Sequence, residues 1–310
     1  MAPLLCVGGA SGAVAFPTKP FNLVVTVSAG GAADRVARLL ASQLTAKWGQ
    51  QVVVENRLGA SGMIGAEYVA RSQPDGYRAL FASGTFVQAP ALFPNAPYDP
   101  ERDFAPVCQL CTLGVVLVVN ATSNLRSVDD YIATARRSGL TYGSIGIGSS
   151  LHLYGEILRR DAKAELRHVP YKGEAPVLTD IVGGHIDSAF VSIASADPLI
   201  RSGKLRPLAV IGLERSPILS DVPTFPERGY GRLDLLGWYG VLLPKAVSSD
   251  IVAKLSDDLV STVKEPGMSK QITEMGFTPK ATTPDQYAET VRVDFDKWKK
   301  IIQEVGVKPE

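Results

Sequence analysis

Short apolar runs alternate with helical periods along almost the whole chain. Between the runs, apolar residues recur at spacings of three and four, as in Val36–Leu44, which predicts amphipathic helices. The runs are rich in β-branched and aliphatic residues and predict strands at Leu23–Val27, Gln51–Val54, Ala79–Ala82, Val115–Val119, Leu140–Tyr142, Arg167–Val169, Ser188–Val191, Leu208–Ile211 and Leu236–Leu243. This alternation predicts an α/β fold with mostly parallel sheets flanked by helices.

The first strand–helix junction carries the strongest local signal. In VVTVSAGGAADRVARLLASQL, Gly30 and Gly31 stand between a strand and a helix. Glycine lets the backbone approach a ligand closely, and the start of a helix presents free N–H groups and partial positive charge to an anion. Two interpretations remain open: the turn contacts a ligand, or its glycines serve packing alone.

Three further strand ends share this character. LTYGSIGIGSSLHLYGEILRR repeats the order of strand, glycines and helix, with Ser149 and Ser150 as candidate N-caps. Another strand ends at Ser83–Thr85, and a fourth places Ser192 and Ser195 before a short helix. Ligands of open parallel sheets bind beyond the carboxyl ends of the strands, so these ends predict a site rich in hydroxyls and amides. The alternative is that the Ser and Thr residues only cap helices.

The length of the chain predicts two lobes, because 310 residues exceed one ordinary core. Val115–Val119 and Leu236–Leu243 are predicted to cross between the lobes and to form the hinge. The first lobe is then expected to comprise residues 16–119 and 237–310, and the second lobe residues 120–236.

Charge and hydropathy narrow the class of partner. Lys and Arg number 32 against 31 for Asp and Glu, and no basic cluster stands out, so nucleic acid is not an expected partner. No apolar run approaches the roughly 20 residues that span a bilayer. Residues 1–15 are apolar and small and end in Ala13-Val14-Ala15, which predicts the remnant of an export signal, although a positively charged start is missing. Export predicts a periplasmic location; the alternative is an apolar N-terminus of a cytoplasmic protein.

Candidate chemistry is sparse. Cys108 and Cys111 stand in a predicted strand, where residues three apart lie on opposite faces about 10 Å apart, so they are predicted to be buried thiols. With three histidines and no second Cys pair, no metal site is predicted. Nucleotide-binding and nucleophile-elbow fingerprints are absent from the sequence, so no cofactor or catalytic residue is assigned and an α/β enzyme is the less favoured class.

Several ordered motifs carry a resemblance to a known family. VVTVSAGGAADRVARLL, VVVENRLGASGMIGAEYVARSQPDGYRALFASGT, PYDPERDFAPV, TYGSIGIGSSLHLYGE, VPYKGEAPVLTDIVGGHID and SDVPTFPERGY resemble the Bug receptors, the periplasmic solute-binding proteins of tripartite tricarboxylate transport systems. The resemblance implies a two-lobed flytrap that binds an organic or amino-acid carboxylate through backbone amides, hydroxyls and water. It also implies membrane carrier subunits as partners. A ligand-sensing receptor for a signalling partner is the alternative, and we expect a monomer.

The resemblance also implies which residues bind the ligand. In the first lobe these are Ser28, Ala29, Gly30, Gly31, Ala32, Ala33, Asp34, Ser83, Gly84 and Thr85. In the second lobe they are Ser144, Gly148, Ser149, Ser150, His152, Lys172 and Ser192. The chain departs from the family pattern at Ser28-Ala29, Ala33 and Phe86, where proline, threonine and histidine are frequent, so the resemblance does not identify the ligand.

Two of these residues keep open roles. His152 stands in a first helical turn, where it either reaches the cleft or packs against the protein. Asp34 either stabilises its helix start and pairs with Arg38, or binds the ammonium group of an amino-acid ligand.

Overall fold

The computed structural model describes residues 16–27 and 29–306, and the predicted export signal in residues 1–15 lies outside them. The apolar runs form strands where expected, because β-branched residues pack well on a half-buried pleated surface. The strands are β1 (Phe21–Val25), β2 (Val52–Asn56), β3 (Arg78–Ser83), β4 (Phe104–Leu113), β5 (Val115–Asn120), β6 (Leu140–Ser144), β7 (Leu166–Pro170), β8 (Ser188–Ser192), β9 (Leu205–Val210), β10 (Gly237–Pro244) and β11 (Phe277–Pro279).

Helices separate most of these strands and bury their apolar faces against them. They are α1 (Ala32–Trp48), α2 (Met63–Ala70), α3 (Thr85–Leu92), α4 (Val128–Ser138), α5 (Ser150–Asp161), α6 (Glu174–Gly183), α7 (Ile193–Arg201), α8 (Ser249–Lys264), α9 (Pro266–Glu274) and α10 (Pro284–Val305).

Two mixed sheets organise these elements. The first has the order β11-β4-β10-β3-β1-β2, in which β1 runs parallel to β2 and β3 while β10 runs antiparallel to β3 and β4. The second has the order β7-β6-β8-β5-β9, in which β6 runs parallel to its neighbours and β5 antiparallel to its own. The predicted two-lobed α/β fold is confirmed. The expectation of mostly parallel sheets is too simple, because the strands that connect the sheets run against their neighbours.

The chain crosses between the sheets at two adjacent points. β4 leads through Gly114 directly into β5, and β10 returns to the first sheet with Gly237 in register with Leu113. The first lobe was expected to extend to residue 119, but Val115–Asn120 pairs with β8 and β9 of the second sheet. The change of sheet therefore falls at Gly114. The boundary of the first lobe was misplaced because an apolar run predicts a strand but does not indicate which sheet that strand joins. Below, the second lobe means residues 115–236, and the first lobe means the rest of the described chain.

The lobes also touch through α10. The ring of Tyr154 in α5 lies 6.0 Å from that of Trp298 in α10, between centroids. One apolar core therefore continues from the first lobe into the second on this side.

The two cysteines of β4 are buried and free, as predicted. They were expected on opposite faces, but both pack in the same apolar cluster of the first lobe. The register between β4 and β10 shifts between Tyr239 and Gly240, which inserts an extra residue between the cysteines. Burial raises the pKa of the Cys108 and Cys111 thiols to about 12.

Candidate ligand-binding cleft

A cleft of two compartments lies where the lobes face each other. The first, the Leu58 compartment, has a volume of about 580 Å³ and is lined by Thr26, Val27, Leu58, Gly59, Ser61, Gly62, Thr85, Gln88, Ala89, Leu92, Phe93, Ile147, Gly148 and Ser149.

The second, the Arg35 compartment, has a volume of about 560 Å³ and adjoins the crossing strands. It is lined by Arg35, Thr85, Leu113, Val115, Ile145, Ser149, Ser150, Leu151, Tyr154, Glu174, Ser192, Ala194, Ser195, Gly237, Tyr239, Glu274, Met275 and Phe277. Thr85 of the first lobe and Ser149 of the second line both compartments.

The glycine loop of the second lobe presents its residues to this cleft. Gly146 and Gly148 have φ angles of 129° and 77°, which a side chain would disfavour. Ser149 is the N-cap of α5: its hydroxyl accepts the His152 amide at 3.3 Å and donates to the Gly146 carbonyl at 2.7 Å. Gly148, Ser149 and Ser150 therefore line the cleft at the start of a helix, and their role in binding a ligand stays a prediction.

The stacked imidazole rings of His152 and His168 support this loop. The rings of His152 and His168 are 4.0 Å apart between centroids and nearly parallel. His152 Nδ1 accepts the Gly148 amide at 3.0 Å, and His168 Nε2 lies 2.7 Å from Ser144 Oγ. Burial lowers the pKa of both histidines, and the neighbouring ring contributes to lowering that of His168 to about 4. Neither imidazole nor Ser144 lines a compartment, so these residues support the loop.

The glycine turn of the first lobe is organised around Asp34. This buried carboxylate accepts from the Gly30 amide and Arg38 Nε, each at 2.8 Å, and from Asn56 Nδ2 at 2.9 Å. Burial raises the pKa of Asp34, but the bonds from Arg38, Gly30 and Asn56 outweigh it and lower the pKa to about 2. Three donors of the protein therefore hold this carboxylate in place.

This turn does not supply the cleft lining that was expected from it. Ala29, Gly30, Gly31, Ala33 and Asp34 line neither compartment. Ala32 begins α1, and Ser28 lies outside the described residues. The cleft is lined instead by three residues that flank the turn in sequence, Thr26, Val27 and Arg35.

Of the other predicted residues, Thr85 and Ser192 line the cleft. The hydroxyls of Thr85 and Ser83 are 2.8 Å apart, and Gly84 precedes α3 without lining a compartment. Lys172 is exposed and lies outside both compartments.

Sequence reasoning missed two polar contacts at the cleft. Gln88 Nε2 donates to Ser150 Oγ at 2.7 Å and so joins α3 of the first lobe to α5 of the second. A lone amide in the apolar segment TFVQAPAL was the available signal. Glu174 accepts the Ser192 amide at 2.6 Å, the Ser192 hydroxyl at 2.7 Å and the Ser195 hydroxyl.

The described part of the chain brings together no group of three His, Cys, Asp or Glu side chains that could hold a metal ion. None of its helices is both long enough and apolar enough to cross a membrane.

The two α/β lobes and the helix starts that face each other between them define a two-lobed solute-binding protein. The family model described as tripartite tricarboxylate transporter family receptor matches residues 36–307. The chain therefore belongs to this receptor family, and the resemblance to the Bug receptors is confirmed.

Individual relatives agree over nearly their whole length. BugT of Bordetella pertussis is 32% identical over 297 residues, which cover 94% of this chain and 91% of BugT. The structure of R. palustris Rpa4515 with adipate matches with a TM-score of 0.82 and 32% identity, over 95% of this chain and 100% of that one. MatC from Rhodopseudomonas palustris with bound malate matches with a TM-score of 0.76 and 29% identity, over 93% and 100%. The chain is thus a solute-binding receptor and not an enzyme.

Proposed function

We propose that this receptor captures a small carboxylate, either an organic acid or an amino acid, in the cleft between its lobes. It does so in the periplasm and delivers the ligand to the membrane carrier subunits of a tripartite tricarboxylate transporter. Membership of the receptor family supports the transporter as partner, and the adipate and malate bound to Rpa4515 and MatC support the ligand class.

One observation carries the proposal: the start of α5 with Ser149 and Ser150 faces Thr85 at the start of α3 across the cleft. The first turns of helices have N–H groups without intrahelical partners, and these groups with the adjacent hydroxyls bind anions. Each lobe provides half of the donors. A carboxylate that contacts both halves favours the closed arrangement of the lobes, and a carrier can recognise that shape.

Binding is tested by thermal shift and calorimetry with organic acids and amino acids. A true ligand at about one hundred times its Kd adds about 2.7 kcal/mol to the free energy of unfolding. Ser149→Ala is expected to cost about 1 to 2 kcal/mol of binding free energy, because the Ser149 hydroxyl bonds the Gly146 carbonyl and the His152 amide and so fixes the helix start that faces the carboxylate.

Ser127→Ala is the matched control, because Ser127 caps α4 in the same way, accepting the Asp130 amide at 3.1 Å away from the cleft. It should lower stability but leave affinity unchanged. Equal affinity losses in both variants, or no binding of any carboxylate, would contradict the proposal. Binding without uptake in vesicles that hold the carrier subunits would contradict the transport role and favour ligand sensing.

A further inference from the structure

Exposed apolar side chains concentrate at the cleft. Of the six large apolar side chains that are exposed in residues 16–27 and 29–306, three line a compartment. Leu58 is 52% exposed, Ile147 48% and Ile145 42%. Apolar surface gathered in this way on a solute-binding protein marks a place where a partner or ligand covers it.

The Leu58 compartment is uncharged, whereas charged side chains line the Arg35 compartment. The lining of the Leu58 compartment includes no charged side chain, and its polar groups are hydroxyls, one amide and backbone. Leu58, Leu92 and Phe93 come from the first lobe, and Ile147 comes from the second. Apolar side chains from both lobes therefore meet across a space of about 580 Å³.

The Arg35 compartment contains an arginine side chain that pairs with none of the described residues. The Arg35 guanidinium makes no hydrogen bond or ion pair within the part of the chain that the structure describes. Glu174 is already engaged by Ser192 and Ser195, and Glu274 pairs with Lys270 at 3.8 Å. A guanidinium suits a carboxylate, which it binds with two parallel hydrogen bonds.

We infer that the ligand is a monocarboxylate with an apolar hydrocarbon body. This inference rests on the proposed function and specifies its ligand class. The carboxylate lies at Thr85 and Ser149 on the side of Arg35, and the hydrocarbon body fills the Leu58 compartment. A second carboxylate at the far end of the ligand would lie against Leu58 and Phe93 in a compartment without a guanidinium, so it would be bound less well than the carboxylate beside Arg35.

Hexanoate and adipate test this inference directly, because they share a six-carbon chain and differ in the distal carboxylate. Calorimetry should show hexanoate binding more tightly than adipate by about tenfold or more. Tighter binding of adipate would overturn the inference and leave the proposed function intact. If neither these acids nor any other carboxylate or amino acid binds, the proposed function itself fails.

Variants locate the two ends of the ligand. Ile147→Ser should weaken hexanoate about five- to tenfold and leave propionate unaffected, because only the longer chain reaches that side chain. Leu213→Ser is the matched control, since Leu213 is exposed and lines neither cleft compartment. Arg35→Gln should weaken hexanoate and propionate alike, by about tenfold. Unchanged hexanoate affinity in Ile147→Ser, or unchanged affinity for both acids in Arg35→Gln, would overturn the inference.

Discussion

The glycine turns of the two lobes are alike in sequence and differ in what they do. In the first lobe, the turn from Ala29 to Asp34 folds around a buried carboxylate and stays out of the cleft lining. In the second lobe, Gly148 donates to His152, whose imidazole stacks on that of His168, and Gly148 and Ser149 line the cleft.

The difference lies in where the supporting group sits. Asp34 lies on α1 itself and draws the Gly30 amide back towards its own helix. His152 supports its loop through Nδ1, which accepts the Gly148 amide. Gly148 and the following Ser149 line the cleft. A strand–glycine–helix pattern thus predicts a turn that can approach a ligand, and the scaffold behind the turn decides whether it does.

Removing the support of the first turn is expected to have the largest effect. Asp34→Ala leaves the Gly30 amide without its acceptor and removes one acceptor each from Arg38 and Asn56, which keep their bonds to Asn56 Oδ1 and the Val27 carbonyl. It should cost about 2 to 3 kcal/mol of unfolding free energy. Urea denaturation measures this loss. Asp250→Ala, which removes an exposed carboxylate from the first turn of α8, should cost about 0.5 kcal/mol or less.

If Asp34 has only this supporting role, Asp34→Asn weakens an amino acid and the matching deaminated acid equally. A loss confined to the amino acid would restore the alternative in which Asp34 binds an ammonium group.

The two turns should also lose stability in different pH ranges. Because the pKa of His168 is lowered to about 4, the unfolded chain takes up its proton first as the pH falls below about 6.5. Unfolding free energy should fall by about 1 to 2 kcal/mol between pH 6.5 and 4, allowing for solvent screening. The pKa of Asp34 is lowered to about 2, so its contribution is present above about pH 4 and is lost below it.

Denaturation curves from pH 7 to 3 separate the two effects. His168→Gln should reduce the fall in unfolding free energy between about pH 6.5 and 4, which is the upper step of the curve. His185→Gln, which changes an exposed imidazole, should preserve that step. An unchanged upper step in His168→Gln would show that the pair does not support the second loop as described.

The smallest effect gives the most direct comparison. Gly30 and Gly148 have φ angles of 82° and 77°, so alanine at either position should cost about 1 kcal/mol of unfolding free energy. An added Cβ has no neighbour within 4 Å at Gly30, whereas at Gly148 it lies 3.3 Å from Leu92 Cδ2 in the cleft. Calorimetry should therefore show weaker ligand binding for Gly148→Ala alone. An equal loss of affinity for Gly30→Ala would place the first turn back in the site.

The fold was largely predictable because the strand and helix periods are strong and uninterrupted. The predictions were wrong where the outcome depends on contacts that the local sequence pattern does not indicate. A continuous apolar run did not show that β5 belongs to the second sheet, and a bulge in β4 was not visible in the spacing of Cys108 and Cys111. The cleft was predictable where serines follow glycines. It was missed at Arg35 and Gln88, because their importance depends on what faces them from the other lobe.

The register of β4 and β10 has a consequence for engineering. Leu113 and Gly237 are direct partners, so the chain leaves and re-enters the first sheet at points about 5 Å apart. Residues 114–236 are thus a cassette with neighbouring ends, the geometry that tolerates domain insertion. Exchanging this cassette between family members at these two junctions would yield chimeras in which one parent supplies Arg35 and Leu58 and the other supplies Ile147 and Ser149. Ligand preference could then be assigned to each half separately.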